Sequence, residues 1–411
     1  MAKTRKIIND PVFGFLSIPD GVLFQILQHP YLQRLNRIRQ LGLSFFVYPG
    51  AMHSRFLHSL GAMHLMREAI GSLREKGVEI TDNEATASMA AILLHDVGHG
   101  PFSHVMEHTL VEGITHEEIS LMMMEKMRDE LAEQDGELLN LAIAIFKDEY
   151  PKHFLHQLIS SQLDVDRLDY LCRDSFFCGV TEGSVASARI LKMMNVTADG
   201  HLVVEAKGIY SVEKFLVARR LMYWQVYLHH TSVAAEQLLI KILERAKALA
   251  KQGVELFCSP ALHYFLYNRI TSEVFVQNPN ALNQYAMLDD ADLLSAIKVW
   301  IGCEDKVLSE LCQCFTNRRL FKGKLLDQPL STEQVEALSE QYAERFGIDK
   351  ADAHYFFVEH VSTSNTYSEK GEAIGILYKD GMVKDIAEAS DMLSMESLTF
   401  KPQKRYLFRL V

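Results

Sequence analysis

Ten residues, Ala85 to Leu94, read ATASMAAILL and run directly into His95-Asp96 within AAILLHDVGHGPFSH. A helix that is apolar on nearly every side near its end has to be buried, so this segment carries an imidazole and a carboxylate into the interior. A buried carboxylate needs a cation or several hydrogen bonds to stay charged. The plainer reading is that the pair caps the helix, which Gly98, Gly100 and Pro101 terminate just beyond. A lone His-Asp dipeptide would support no more than that. Its company changes the argument: His58 in SRFLHSLG, His99 and His104 just downstream, His116 in THEE, and Asp166 in LDVDRLDYLCRD.

The chain has 411 residues, 48% of them hydrophobic, enough for a large core. No apolar run approaches the roughly 20 residues needed to span a bilayer, and MAKTRKIIND lacks the apolar stretch of a signal peptide. The expectation is a soluble, cytoplasmic protein without a membrane partner. Six scattered cysteines form no disulfide framework, and Cys312 and Cys314 read as ordinary core or surface thiols. A formal net charge of -11 argues against an extended nucleic-acid surface. It leaves room for a small phosphorylated ligand, because a few arginines reverse the potential of one pocket.

Periodicity predicts a mainly α protein. In HPYLQRLNRIRQL, residues 29–41, Leu32, Leu35, Ile38 and Leu41 fall on one stripe. Further helices are predicted at 55–76, 83–97, 115–133, 136–147, 152–173, 184–195, 211–250, 259–271, 289–302 and 331–346. Strands are predicted at 44–48, 201–206, 354–361, 374–379 and 405–411, where β-branched and aromatic residues concentrate. KQGVELFCSP interrupts the pattern near 250–260. Residues 1–255 therefore read as a helical catalytic core, and 256–411 as a smaller α+β appendage packed on it.

His58, His95, Asp96 and Asp166 form a mixed nitrogen and oxygen set suited to one divalent metal with open positions. Around Asp166 the helical spacing places Arg167, Tyr170 and Asp174 on the same face. A solvated charged face is the plain alternative. Leu163, Val165, Leu168 and Leu171 weigh against it, since they bury the other side of the helix.

With these residues in view, the chain resembles the HD-domain metal-dependent phosphohydrolases, whose signature is a His, a His-Asp doublet and a distant Asp. It is most similar to the sterile-alpha-motif/HD-type deoxynucleoside triphosphate triphosphohydrolases, over the HD domain only. The resemblance runs from Asp10-Pro11 to about residue 322 through NDPVFG, RLNRIRQLG, PGAMHSRFLHSLG, LLHDVGHGPFSH, THEE, LDVDRLDYLCRD and VYLHH. It implies an HD-domain helical core in which His58, His95, Asp96 and Asp166 hold the metal. It places Arg55, His99, His104, Arg167 and Arg219 around phosphates, with Arg167 where the family often has a lysine. His116, oriented by Glu107, matches the proton-transfer pair, with His99 and Asp96 beside it. Gln40, Tyr170, Asp174 and Tyr227 match sugar-lining positions.

General chemistry agrees with those roles. Arginines suit the equatorial oxygens of a phosphoryl centre, a metal brings the pKa of bound water near 7, and a carboxylate-held histidine moves protons near neutral pH. Manganese, iron, nickel or zinc would suit the donor set, and magnesium would suit two nitrogens less naturally. Some positions depart from the family pattern. Gln28 and Asn36 stand where the vertebrate member carries acidic and basic residues of a guanine-nucleotide site, and His230 stands where it has a lysine; Arg318 and Lys322 are retained. The resemblance therefore does not extend to activation by GTP, and no sterile-alpha-motif domain is expected ahead of the core.

The leading expectation is hydrolysis of a dNTP to deoxynucleoside and triphosphate. Hydrolysis of another phosphorylated compound, such as a nucleoside monophosphate, is the second reading, and a nucleotide-sensing scaffold with little turnover is the third. A homodimer or higher homo-oligomer is expected from the family and from the Met-rich and aromatic helices. Tyr223 and Trp224 read as core or subunit contact, and His153, His156, His263 and His354 receive no functional reading.

Overall fold

A computed structural model describes residues 6–102, 104–364, 367, 373–393 and 401–411. The architecture is mainly α, as predicted, with small sheets at the N terminus and toward the C terminus. Strands β1 (Lys6–Asp10) and β2 (Gly14–Ile18) form an antiparallel hairpin. Helices α1 (Val22–Gln28) and α2 (Pro30–Arg34) follow.

The centre of the fold is a pair of long helices, α3 (Arg55–Glu75) and α4 (Asp82–Leu94). A capping box between Thr81 and Glu84 starts α4, and Ala87 to Leu94 are all buried. The prediction from the apolar run therefore holds: α4 is the inner helix, and its C-terminal end carries His95 and Asp96 inward. Helices α5 (His104–Thr109), α6 (His116–Glu130), α7 (Glu133–Phe146), α8 (His153–Gln157) and α9 (Val165–Cys178) follow, α7 packing on α4 and α9 on α3. The last begins at Asp164, whose side chain accepts the Arg167 amide, and ends at Gly179 in the left-handed region. Leu163, Val165, Leu168 and Leu171 are buried, as their pattern implied.

Glu84 also ties α4 to the segment between α7 and α8. It accepts hydrogen bonds from the Thr81 amide at 2.7 Å, Tyr150 Oη at 2.6 Å and Lys152 Nζ at 2.9 Å. Burial alone would raise its pKa, but these donors prevail and hold the carboxyl at about 2. A carboxyl held below its unfolded value stabilises the fold above pH ~4.5 and loses that contribution as pH falls toward 2. Glu84→Gln is expected to cost about 1–2 kcal/mol at pH 7. Thermal unfolding curves of the two proteins should converge as pH is lowered through that window; a constant gap would refute the assignment.

Four predicted elements differ from the observed ones. The helix expected over 29–41 stops at Arg34, passes through a 3-10 turn at Leu35–Arg37 and becomes extended at Ile38. The cause is tertiary: Asp290 accepts the Arg39 amide at 3.1 Å, and Gln40 and Arg55 amides donate to His53 and Ile38 carbonyls. The strand expected at 44–48 is instead a 3-10 turn over Ser44–Phe46, with Phe46 edge-on to Phe315 and, among the described residues, no partner strand beside it. The single helix expected over 152–173 is interrupted between Gln157 and Val165. The one expected over 211–250 divides into α11 (Ile209–Met222), a π turn at Tyr223–Tyr227 and α12 (His230–Lys251), following α10 (Ser187–Met193). His229 caps the last segment by accepting the Thr231 amide.

Of the later predicted strands, 354–361 appears as Phe357–Thr363, 374–379 as Gly375–Leu377, and 405–411 as Gln403–Arg409. Gln403–Arg409 lies between Lys322–Leu326 and Phe357–Thr363, antiparallel to both. Gly375–Leu377 pairs in parallel with Leu202–Glu205, so a strand beyond residue 255 extends a sheet begun before it. All six cysteines are free, with Cys312 and Cys314 buried. Among the described residues no helix is long and apolar enough to cross a membrane.

Candidate metal and phosphate site

Helices α3, the end of α4 and the start of α9 bring His58, His95 and Asp166 together, with one ligand atom from each lying within 4.8 Å of the others. His58 Nε2 is 3.4 Å from His95 Nε2 and 3.1 Å from Asp166 Oδ1, and His95 Nε2 is 3.4 Å from Asp166 Oδ1. Metal bonds of about 2.1 Å place neighbouring ligand atoms about 3.0 Å apart in an octahedron and about 3.4 Å apart in a tetrahedron. The donor set and its spacing therefore fit a divalent cation. Asp96 stands at the edge of the trio, 3.4 Å from His95 Nε2 and 3.8 Å from His58 Nε2. Its oxygens also meet Arg55 Nη1 at 2.6 Å and His99 Nε2 at 3.2 Å.

The electrostatics follow from burial and pairing. Burial would push the His58 imidazolium pKa down, yet hydrogen bonds to Asp166 and Asp169 outweigh it and hold it at about 10. Burial likewise opposes the charged form of Asp166, and the two imidazoles reverse the effect and keep its carboxyl ionised. His99 is driven the other way, to about 3, by burial and by the Arg55 guanidinium, so it is a neutral ring at pH 7. His116 stacks on it, with centroids 3.9 Å apart at 16°. Gly98 permits this closeness: a Cβ there would lie 2.2 Å from the His116 carbonyl oxygen and 2.3 Å from the Ser120 nitrogen. Ser120 Oγ accepts the Gly98 amide and donates to the His95 carbonyl, joining α6 to the His-Asp turn.

A cavity of about 260 Å³ opens beside the trio, bounded on one side by His95, Asp96, Asp166, Arg167 and His116. Its lining also includes Glu117, Phe146, His156 and Ser160, to which the sequence reading gives no role. His156 resembled any other helical histidine. Only the fold places it in the cavity lining, with Nδ1 against the Ile145 carbonyl at 3.1 Å.

Of two arginines expected near phosphates, Arg219 is buried and Arg167 half-buried, and both are incompletely satisfied. Arg219 is 8% exposed, and its Nε and Nη1 have no hydrogen-bond partner among the described residues. Its guanidinium carbon lies 5.9 Å from the Tyr223 ring centroid. Arg167 Nε is likewise without a partner, although Nη1 is bonded to Asp164. An unpaired buried cationic donor is costly unless an anion meets it.

Of the residues matched to the sugar, Tyr170, Asp174 and Tyr227 come together. Tyr227 Oη donates to Asp174 Oδ2 at 2.9 Å, Tyr170 and Tyr227 meet edge-on at 5.9 Å, and Gln40 Oε1 is buried without a partner among the described residues. The π turn aims Tyr227 at Asp174, a use often found for such bulges at functional sites. Sequence reasoning missed His53, whose Nε2 meets Asp174 Oδ1 at 2.8 Å while its ring stacks on Phe177 at 4.5 Å. The side chains of His104 and Glu107 lie outside the described residues. Gln28 and Asn36 are exposed, Asn36 bonding Gln33. Arg318 donates to the Phe46 carbonyl, Lys322 lies on an exposed strand, and His230 stacks on His229.

Comparison with known proteins agrees with this geometry. Residues 55–174 match the HD domain model, and residues 185–256 match that of the HD associated region. The chain is 57% identical to a phosphohydrolase, BT4208, from Bacteroides thetaiotaomicron; their structures superpose with a TM-score of 0.95 over 99% of this chain and 100% of that one. It is 31% identical to the uncharacterized protein YwfO of Bacillus subtilis over 97% of this chain and 90% of YwfO. It is also 33% identical to the human deoxynucleoside triphosphate triphosphohydrolase SAMHD1, over 43% of this chain and 34% of that protein.

Proposed function

The chain belongs to the HD-domain superfamily, and from that premise we propose that it is a metal-dependent phosphohydrolase cleaving a dNTP to deoxynucleoside and triphosphate. The observation carrying this reading is a metal-spaced trio beside a cavity that Arg167 and His116 also line.

His58, His95 and Asp166 would hold the ion, with Asp96 completing the set while Arg55 Nη1 and His99 Nε2 hold its carboxylate in place. Manganese, iron, nickel or zinc would suit two imidazoles and two carboxylates. When bound, such an ion supplies Lewis acidity and a water acidic enough to act as nucleophile near neutral pH. Arg219 and Arg167 receive the phosphate chain and stabilise the charge that builds on its oxygens during attack. His116 gives a proton from its ring nitrogen to the departing 5′-oxygen. Neutral His99 donates a hydrogen bond without adding a second cation beside Arg55. Asp174, braced by His53 and Tyr227, accepts from the 3′-hydroxyl, and Gln40 bonds the same group. Tyr170 crowds the 2′-position.

Purified protein incubated with Mn2+ and a panel of dNTPs is expected to release deoxynucleoside and tripolyphosphate in equal amounts. Orthophosphate or nucleoside monophosphate as the product would reject the triphosphohydrolase reading and leave the wider class standing.

A further inference from the structure

The NDPVFG segment has no part in the chemistry above, yet a buried ionic chain joins it to the metal-facing imidazole. Asp169 Oδ2 accepts the Nδ1 hydrogen of His58 at 2.7 Å. Arg173 then donates through Nε and Nη2 to both oxygens of Asp169, each at 2.9 Å, and through Nη1 to Asp10 Oδ2 at 2.7 Å. Asp10 Oδ1 accepts the amides of Val12 and Phe13 at 2.9 and 2.8 Å. His58, Asp169 and Arg173 are 0% exposed, and Asp10 is 4% exposed. Gly61, one helical turn beyond His58, makes room for the arrangement: a Cβ there would lie 1.9 Å from Asp169 Oδ1 and 2.1 Å from Arg173 Nη2.

Each link has a physical task. An imidazole can ligate through Nε2 when its proton resides on Nδ1, and a carboxylate accepting that proton fixes the tautomer and raises the ring's basicity. That carboxylate is held in plane by a bidentate guanidinium. The guanidinium in turn could pivot about a single carboxylate, and a second one, itself anchored by two backbone amides, removes that freedom. The charges add to one net negative: two carboxylates against one guanidinium. Buried and away from water, this excess is best offset by positive charge across the imidazole, which is where a cation would sit.

We infer that Asp10, acting through Arg173 and Asp169, is a positioning residue that fixes His58 for the ion and tightens its binding. The inference rests on the metal reading given above.

The test is Asp10→Asn in the full chain, which keeps an oxygen for the two amides and removes the charge. Titration with Co2+, followed by calorimetry and by visible absorption of the bound ion, is expected to show affinity about tenfold or more weaker and an altered absorption envelope. A folded variant with wild-type affinity and spectrum would overturn the inference while leaving the metal reading intact. Wild-type protein that binds no Co2+ would overturn both. Should the variant not fold, hydrogen exchange in the wild-type protein decides: Co2+ should slow exchange in a peptide containing the Val12 and Phe13 amides, and unchanged exchange there refutes the coupling.

Discussion

Asp166→Ala is expected to abolish tight binding of the divalent ion and to lower turnover by at least about a thousandfold. Asp166 would be the ligand supplied by α9, and its carboxylate lies 3.1 Å from His58 Nε2 and 3.4 Å from His95 Nε2. Without it, two imidazoles and the rim carboxylate of Asp96 remain, and Asp96 is already engaged by Arg55. Losing the ion removes several kcal/mol of charge stabilisation, and each ~1.4 kcal/mol is a factor of ten in rate. Calorimetric titration with Mn2+ and a turnover assay at saturating metal would measure both effects, with circular dichroism to establish that the variant is folded. Wild-type metal affinity in that variant would remove Asp166 from the ligand set.

The second large effect is expected at Arg219. Two of its buried donors have no partner among the described residues, and hydrogen bonds from a charged group contribute about 1.5–3 kcal/mol each. Arg219→Ala should therefore reduce kcat/KM for a nucleoside triphosphate by roughly a hundredfold or more. Any hydrolysis of a nucleoside monophosphate should change far less, because a shorter chain leaves the guanidinium idle. Arg219→Lys should restore only part of the loss, since an ammonium cannot reproduce the planar fork. Undiminished kcat/KM on triphosphates in the alanine variant would show that the phosphate chain lies elsewhere.

Legibility differed between residues for physical reasons. The His95-Asp96 doublet was visible because charge at the end of an apolar helix is costly wherever it occurs, and Asp166 was visible through its helical face. His53 was not, because its role depends on Phe177 beneath its ring and Asp174 beyond it, at 4.5 and 2.8 Å, more than a hundred residues away in the chain. Asp169 and Arg173 carried a faint signal, an acid and a base four residues apart. Such a pair is commonplace on solvated helices, and only burial shows that it supports His58. The interrupted helices had no local signature: apolar periodicity continues across 35–41 and 223–228, and capture of the Arg39 amide by Asp290 breaks the first stretch.

The candidate phosphate contacts came only from the family resemblance, whereas the amino-acid sequence by itself determined the helical class, the burial of α4 and a candidate set of metal ligands. These follow from spacing and from the cost of burying charge, both of which act along a few turns of one helix. Tertiary structure decided which of those side chains meet. It set the 3.1–3.4 Å spacing of the trio, turned His156 into the cavity wall, and joined Asp10 to Arg173 across 163 residues and, through Asp169, to His58. The reason is that convergence depends on how distant helices pack and on which buried charges pair across them, and no local window of residues contains that information.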